Sequence, residues 1–253
     1  MSLSLSAAII IIGDEILSGR TRDINIQTIA QFLEPLGISV AECRIIPDIK
    51  EKIVSTVNAM RREYTYVFTT GGIGPTHDDI TADSVAAAFG VDVGIRDDAR
   101  AILETRYAEN GIELTSARLR MARIPDGASL IANPVSGAPG FQLENVFVLA
   151  GVPSIVRGML LDVEHRLKTG VVTTVSNVKC PGLREGDIAE SLSKIAEAFP
   201  SVSVGSYPWY TGPNDSGVNI VIRGKDAELV RQAAHETFQM IEASGIQPDS
   251  DQL

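Results

Sequence analysis

A glycine loop followed by two acids is the part of the sequence best suited to chemistry. It runs from Thr69 to Thr81 and reads TTGGIGPTHDDIT. Its glycines, Gly71, Gly72 and Gly74, let the backbone take positive φ and approach a ligand closely. The next residues, Ala82–Phe89, have the pattern of a helix, whose first N–H groups are unpaired. This arrangement of strand, loop and helix favours an anion such as phosphate.

The acids that end the loop, Asp78 and Asp79, would repel phosphate unless a cation lay between them. A divalent metal held through oxygen ligands is the simplest candidate. The loop matches neither common phosphate motif, because no Gly-Lys-Ser/Thr follows and His77 stands where the third glycine of the dinucleotide fingerprint belongs. Two alternatives stay open. The acids could only complement the helix dipole, for about 0.3–1 kcal/mol each, and His77 could contact phosphate, transfer a proton or lie on the surface.

Two further acids follow predicted strands. Asp14 comes after the apolar run Ala7–Ile12, and Asp48 comes after Ile38–Ile46. Parallel strands of an open sheet bring their carboxyl ends to one crevice, so these acids should meet Asp79 there. A single aspartate is more often a turn or cap residue, but three at equivalent positions favour a site.

Strands and helices alternate along the first two thirds of the chain, which predicts a mostly parallel sheet between two helical layers. The predicted strands are Ala7–Ile12, Ile38–Ile46, Tyr64–Thr70, Val91–Ile95 and Asn145–Leu149. The predicted helices are one that Asp23 can cap and that ends before Pro35, one through Ile53 to about Arg62, Ala82–Phe89, Asp97–Asn110, about Thr115–Ala122, and one from Pro153 to about Leu167. Proline and glycine make Asn133–Phe141 (NPVSGAPGF) a predicted loop.

A smaller α+β module of the order βαββα is predicted from Gly170 onward, which divides the chain into domains 1–169 and 170–253. Its predicted strands are Val171–Val178, Val202–Tyr207 and Val218–Arg223, and its predicted helices are Glu185–Phe199 and Ala227–Ser244. We expect Pro208–Gly217 to form a hairpin loop and the polar tail from Gln247 to be frayed.

The amino-acid composition limits the classes of partner that the protein is expected to bind. The 253 residues carry 32 acids and 22 bases, a net charge of −10, which argues against nucleic acid and against an anionic membrane surface. Cys43 and Cys180 are isolated, which fits a reducing cytoplasm and argues against a structural zinc site. Arg118, Arg120 and Arg123 either neutralise a phosphorylated substrate or form a solvated face. We expect a cytoplasmic protein with a small-molecule ligand.

Five motifs in order resemble one family. They are GDEILSG at Gly13–Gly19, Asp23-Ile24-Asn25, the glycine loop, NPVSGAPGF and Gly151-Val152-Pro153. Together they resemble the molybdopterin-binding (MoCF biosynthesis) superfamily, and more closely the N-terminal domain of the competence/damage-inducible CinA proteins and the related domain of FAD synthases. The resemblance covers about Ser6–Leu167, with a weaker one to the following FAD synthase region. It implies a three-layer α/β/α domain with a crevice for a pterin or nucleotide, and relatives that form dimers or trimers.

The resemblance also implies site residues. Asp79 and Asp48 correspond to the aspartates that serve transfer chemistry on an adenylylated pterin, and we predict both as catalytic. Predicted phosphate or substrate contacts are Gly71, Gly72, Gly74, Pro75, Thr76, Gly13, Asn25, Gly137, Pro139, Gly140 and Gly151. Predicted ligands of a divalent Mg, Mn or Co ion are Asp79, Asp48, Asp14 and Asp78. Two residues depart from the CinA-like pattern: Ile155 stands where glutamate is common, and His77 where lysine is common.

Three functions are compatible with these residues. The first hypothesis is a metal-dependent pyrophosphatase that cleaves the phosphoanhydride of an ADP-ribose- or FAD-like nucleotide. The second is a non-catalytic protein that binds molybdopterin or a nucleotide, in which Ile155 and His77 mark lost chemistry. The third is adenylyl or molybdenum transfer in molybdenum cofactor biosynthesis.

Overall fold

The structure is a computed structural model that describes residues 5–212 and 215–250. The chain forms two compact units, one ending at Gly170 and the other beginning at Val171. Within the described residues, no helix has both the length and the apolar character needed to cross a membrane.

The first unit is built on a six-stranded sheet. The strands of this unit are β1 (Ser6–Ile12), β2 (Ser39–Ile46), β3 (Tyr66–Thr70), β4 (Val93–Ile95), β5 (Arg123–Pro125), β6 (Ser129–Ile131), β7 (Gly140–Leu143) and β8 (Val146–Leu149). Its helices are α1 (Asp14–Leu17), α2 (Asn25–Leu33), α3 (Lys50–Glu63), α4 (Thr81–Phe89), α5 (Asp97–Glu109), α6 (Ser116–Leu119) and α7 (Pro153–Val163). Short 3₁₀ turns follow α2, α6 and α7 at Glu34–Leu36, Arg120–Ala122 and Glu164–Arg166.

The large sheet has the order β2-β1-β3-β8-β7-β6, and its first four strands are parallel. β7 and β6 extend it antiparallel, while β4 and β5 pair in a separate ribbon. Successive residues of a strand point to opposite faces, so β1 contributes to two cores. Ala8 and Ile10 pack in the core that α3, α4 and α5 cover, and Ile9 and Ile11 pack in the core that α2 and α7 cover. The predicted three-layer α/β/α fold with a mostly parallel sheet is confirmed.

The antiparallel part of the sheet was not predicted. The sequence pattern assigned all of Asn133–Phe141 to a loop, whereas β7 already begins at Gly140. β5, β6 and β7 have three or four residues each, and none is a continuous apolar run like the VFVL of β8. The first residue of β7 is a glycine because a Cβ at Gly140 would overlap the Val148 carbonyl oxygen of the neighbouring strand.

The second unit contains an antiparallel sheet covered by two helices. Its elements are β9 (Thr174–Pro181), α8 (Glu185–Ala198), β10 (Ser203–Gly212), β11 (Asp215–Gly224), α9 (Ala227–Ala243) and β12 (Asp249–Ser250), with the sheet order β10-β11-β9-β12. The predicted small α+β module is therefore present, with an additional strand. Its hydrophobic core includes Val178, Ile220 and Val230.

Three predictions about this unit were wrong in detail. Most of Pro208–Gly217 is strand rather than hairpin loop, and its residues 213 and 214 lie outside the described residues. Pro208 is tolerated because β10 is an edge strand. The first strand begins at Thr174 rather than Val171. The tail is not simply frayed, because Asp249 and Ser250 pair with β9 despite their polar character.

The aromatic core of the first unit gives a test of its packing. Phe147 is fully buried and stacks on Phe68 with ring centroids 5.0 Å apart. We expect Phe147→Ala to lower the free energy of unfolding of this unit by about 3–5 kcal/mol, because it leaves a cavity between two aromatic neighbours. Hydrogen exchange of the β1 and β3 amides would measure the loss. Leu161→Ala on α7 is the control, since Leu161 is 73% exposed; an equal loss in both variants would contradict the assignment.

Candidate functional site

A crevice of about 560 Å³ opens at the carboxyl ends of the parallel strands. The loops that follow β1, β2 and β3 all reach it, as does the turn after β8. Lining residues from these loops are Ile12, Glu15, Thr21, Asp48, Gly71, Gly72, Ile73, Gly74, Pro75, Asp78, Asp79, Ala150, Gly151, Val152, Pro153 and Ile155. Met121, Asn133, Ser136 and Ala138 complete the wall.

The glycine loop is fixed by close backbone contacts. Gly71 and Gly72 have φ of 105° and 66°, in the region that favours glycine. A Cβ at Gly71 would overlap the Ile12 carbonyl oxygen, and one at Gly72 would overlap the Thr81 hydroxyl. Thr81 donates from its hydroxyl to the Gly71 carbonyl and from its N–H to the Gly72 carbonyl, each at 2.9 Å. The first residue of α4 therefore holds the loop against the end of β1.

Asp79 is oriented by its own turn. The Thr76 N–H and hydroxyl both donate to Asp79 Oδ2, at 2.8 and 2.6 Å. A Cβ on Gly74 would lie 2.6 Å from the same oxygen, so Gly74 leaves the space that the carboxylate occupies. Thr76 was predicted to contact phosphate directly, whereas in the structure both its donors are engaged by Asp79.

Asp48 lies near a different glycine of the loop. Its Oδ2 accepts the Asp14 N–H at 3.0 Å, and its Oδ1 lies 3.6 Å from the position of a Cβ on Gly72. Burial raises the pKa of Asp48 above its ordinary value, and the nearby Asp14 and Glu15 carboxylates add to the rise. The hydrogen bond from Asp14 opposes this rise without cancelling it. Asp48 thus lies beside Gly72, and Asp79 lies beside Gly74 of the same loop.

The crevice carries a concentrated negative charge. Glu15, Asp48, Asp78 and Asp79 line it, and none of the described lining residues is lysine, arginine or histidine. Across residues 5–212 and 215–250, no three acidic, histidine or cysteine side chains come together as a metal site. The four aspartates predicted as metal ligands therefore do not form a metal site on their own, and metal binding stays a prediction.

Several predicted site residues lie outside the lining of this crevice: Gly13, Asp14, Asn25, Thr76, Gly137, Pro139 and Gly140. Asn25 is buried and donates to the Gly151 carbonyl at 2.8 Å, so it braces the turn after β8 instead of facing the cavity. Gly13 donates its N–H to the Ile46 carbonyl at the end of β2. Gly137 packs against Arg106 in a separate groove.

Some lining residues were not assigned to the site from the sequence. Asn133 was part of a quoted motif, and the structure shows why an amide is needed there. Its Nδ2 donates to Ser136 Oγ and the Ala138 carbonyl, and its Oδ1 accepts the N–H groups of Val135 and Ser136. This side chain shapes the loop that presents Ser136 and Ala138 to the crevice. Met121 and Ile73 gave no signal, because apolar residues in such positions look like ordinary core residues.

The other polar residues singled out from the sequence, among them His77, Arg118 and Arg123, do not line the crevice. The His77 side chain is 99% exposed, 4.0 Å from the Asp78 carboxylate. Arg123 forms an ion pair with Asp83. Arg118 donates to the Glu113 carbonyl and lies over the Tyr107 ring.

Comparison with known proteins identifies the family. Residues 8–169 match the family model described as "Probable molybdopterin binding domain". The chain belongs to this molybdopterin-binding family. Residues 181–250 match a second model, "FAD synthase, middle domain". Both matches confirm the resemblance that the five motifs indicated.

Proteins similar to this chain over most of its length occur in archaea. A protein of Aeropyrum pernix is 34% identical over 245 residues, covering 93% of this chain and 91% of the relative. One from Sulfolobus acidocaldarius is 36% identical over 249 residues, covering 94% of each. Among solved structures, CinA of unknown function from Thermoplasma acidophilum has a TM-score of 0.60 at 34% identity, covering 64% of this chain and 99% of that one.

The raised pKa of Asp48 predicts a stability cost. Because the folded state disfavours the carboxylate, its ionisation costs stability at neutral pH, and the cost disappears as pH falls and Asp48 is protonated in both states. We expect Asp48→Asn to raise the melting temperature at pH 7, with a gain that shrinks toward pH 3.

The control for Asp48 has the opposite sign. Arg96 lowers the pKa of Asp98 through hydrogen bonds at 2.7 and 2.8 Å. Asp98→Asn should therefore lower the melting temperature at pH 7, with a loss that shrinks as pH falls through the Asp98 pKa. Thermal unfolding from pH 3 to 8 measures both variants. A stability loss for Asp48→Asn at pH 7 would contradict the account.

Proposed function

We propose that the crevice binds the phosphate-bearing part of a molybdopterin-like pterin or of a nucleotide. The observation that carries this proposal is the glycine loop: its backbone lines the cavity at Gly71, Gly72 and Gly74, where a side chain would collide with neighbouring protein atoms. A cavity of about 560 Å³ is in the range of small-molecule sites. Membership in the molybdopterin-binding family supports the same ligand class.

The charge of the crevice makes a bare phosphate an unsuitable ligand. Four carboxylates line the cavity, and a phosphate beside them must be accompanied by positive charge. Magnesium sites commonly use one or two carboxylates together with substrate phosphates. Asp48 and Asp79 fit that donor set, because each has its Oδ1 free of hydrogen bonds within the described chain. We therefore expect a divalent Mg, Mn or Co ion to enter with the phosphate.

The glycine loop provides the test of binding. Gly74→Ala places a methyl group 2.6 Å from the Asp79 Oδ2, and should weaken binding about tenfold, because relieving that overlap shifts the loop backbone whose amides hold the phosphate. Calorimetry with ADP-ribose, FAD and a phosphorylated pterin, each with magnesium, measures the affinity. Gly94→Ala is the matched control, since nothing lies within 4 Å of a Cβ there. Failure of the wild-type protein to bind any of the three ligands would reject the proposal.

A second candidate function is hydrolysis of a phosphoanhydride in an ADP-ribose- or FAD-like nucleotide. It is favoured by the two carboxylates that flank the glycine loop, one of them, Asp79, held rigidly by Thr76. When bound, a divalent ion would supply charge neutralisation and an activated water. The chain itself would hold the diphosphate with loop amides, and Ile155 and Val152 would form the apolar wall. The third function considered from the sequence, adenylyl or molybdenum transfer in molybdenum cofactor biosynthesis, would use the same loop amides and carboxylates, with an acceptor other than water.

Hydrolysis is tested separately from binding. If the crevice is a pyrophosphatase, ADP-ribose should give AMP and ribose 5-phosphate, and Asp79→Asn should lower turnover more than 100-fold (about 3 kcal/mol in the barrier). Its affinity for ADP-ribose should change by only a few-fold, because loop amides are retained. Chromatography of the products measures turnover, with Asp97→Asn in the first turn of α5 as control. If the protein binds ADP-ribose but does not hydrolyse it with magnesium, manganese or cobalt, the hydrolase function is rejected and the non-catalytic binding function is retained.

A further inference from the structure

A small cavity lies against the glycine loop in addition to the main crevice. Its volume is about 20 Å³, room for about one water molecule. Arg120 and Arg123 line it together with the loop residues Gly72, Gly74 and Asp79. The same three loop residues line the main crevice, so the two arginines lie beside the loop proposed to hold the phosphate.

The two arginines differ in how their charge is balanced. Arg123 forms an ion pair with Asp83, whereas Arg120 forms no salt bridge with any described residue. Arg120 Nη2 makes only a long contact, 3.5 Å, with the Asp79 carbonyl oxygen. Its Nε is buried and has no hydrogen-bond partner within the described chain; the Nε of Arg123 is in the same state, so the ion pair with Asp83 is what distinguishes the two side chains. A buried donor without a partner is unfavourable, and a guanidinium is suited to an anionic oxygen.

The position of Arg120 complements the charge of the crevice. The crevice itself presents carboxylates and no basic side chain among its described lining residues. Arg120 brings a positive charge to the Asp79 side of the glycine loop, and its chain neighbour Met121 lines both cavities. Arg120 is only partly exposed, and a charge in such a position attracts a nearby anion more strongly than a fully solvated one.

We infer that Arg120 is a specificity residue, which stabilises the phosphate held by the glycine loop and so favours phosphorylated over neutral ligands. This inference rests on the proposed binding of a phosphate-bearing ligand in the crevice. Sequence alone placed Arg120 among three arginines of equal standing, and the structure separates it from the other two. Arg123 is neutralised by Asp83, and Arg118 is occupied by the Glu113 carbonyl and the Tyr107 ring.

The test compares two probes that differ in phosphate, ADP-ribose and adenosine, by calorimetry. Arg120→Gln should weaken ADP-ribose binding about tenfold and leave adenosine binding within about twofold. Arg118→Gln removes a neighbouring positive charge from the same segment and should change neither affinity. Arg120→Lys should restore part of the preference for ADP-ribose, because it keeps the charge without the planar fork.

Each outcome decides the inference. Equal ADP-ribose affinity in Arg120→Gln and wild type would overturn the role of Arg120 while leaving the proposed function standing. Parallel weakening of both probes would show a structural role and would also overturn it. If the wild-type protein binds neither ADP-ribose nor adenosine, the inference falls together with this nucleotide form of the proposed function.

A measurement on the wild-type protein covers the case in which Arg120→Gln does not fold. Its affinity for ADP-ribose should fall between about 50 and 300 mM NaCl more steeply than its affinity for adenosine, because salt screens the attraction between charges. Affinities that respond equally to salt would overturn the inference without any variant.

Discussion

The structure depends most on the close approach of three strand ends. Gly71, which follows β3, lies against the Ile12 carbonyl at the end of β1, and a Cβ on Gly151 would be only 3.4 Å from the Gly71 Cα. No other residue type permits both the positive φ of Gly71 and this contact. Because the parallel sheet brings these ends together, the loops after them have no room to separate. The crevice is therefore a consequence of backbone packing rather than of side chains that happen to be polar.

The carboxylates in the crevice reduce the stability that this packing provides. Burial and the neighbouring carboxylates raise the pKa of Asp48, which means that the fold tolerates this ionised group at a cost. Fully buried hydrophobic residues on both faces of the sheet, such as Val67 in one core and Phe68 in the other, provide the stability against which that cost is set. Groups that are unfavourable in the folded state often cluster where a ligand binds, since the ligand supplies the missing partner. The orphaned Arg120 Nε is a second such group beside the same loop.

The parts of the fold that could be predicted from sequence are those determined locally. β1, β2, β3 and their helices follow from apolar periodicity, and Asp23, one residue before the Ile24 N-cap of α2, accepts the Ile26 N–H at 3.0 Å. β5, β6, β7 and β12 were not predicted, because their sequences (RIP, SLI, GFQL and DS) contain no continuous apolar run such as the VFVL of β8 and depend on their partner strands. The same division applies to the candidate site. The glycine loop and the position of Asp48 follow from strand order, whereas the direction of a side chain depends on tertiary contacts that sequence does not show.

Asn25 illustrates the consequence for interpreting family motifs. A polar residue in a shared motif suggests a ligand contact, yet Asn25 is buried and bonds the Gly151 carbonyl. Thr81 bonds the Gly71 carbonyl, and Asn133 closes its own loop. These side chains hold backbone segments around the crevice, so the motifs that define the family specify the shape of the cavity. The chemistry must then depend on residues that project into it, such as Glu15, Asp48 and Ile155, which a family can change without altering the fold.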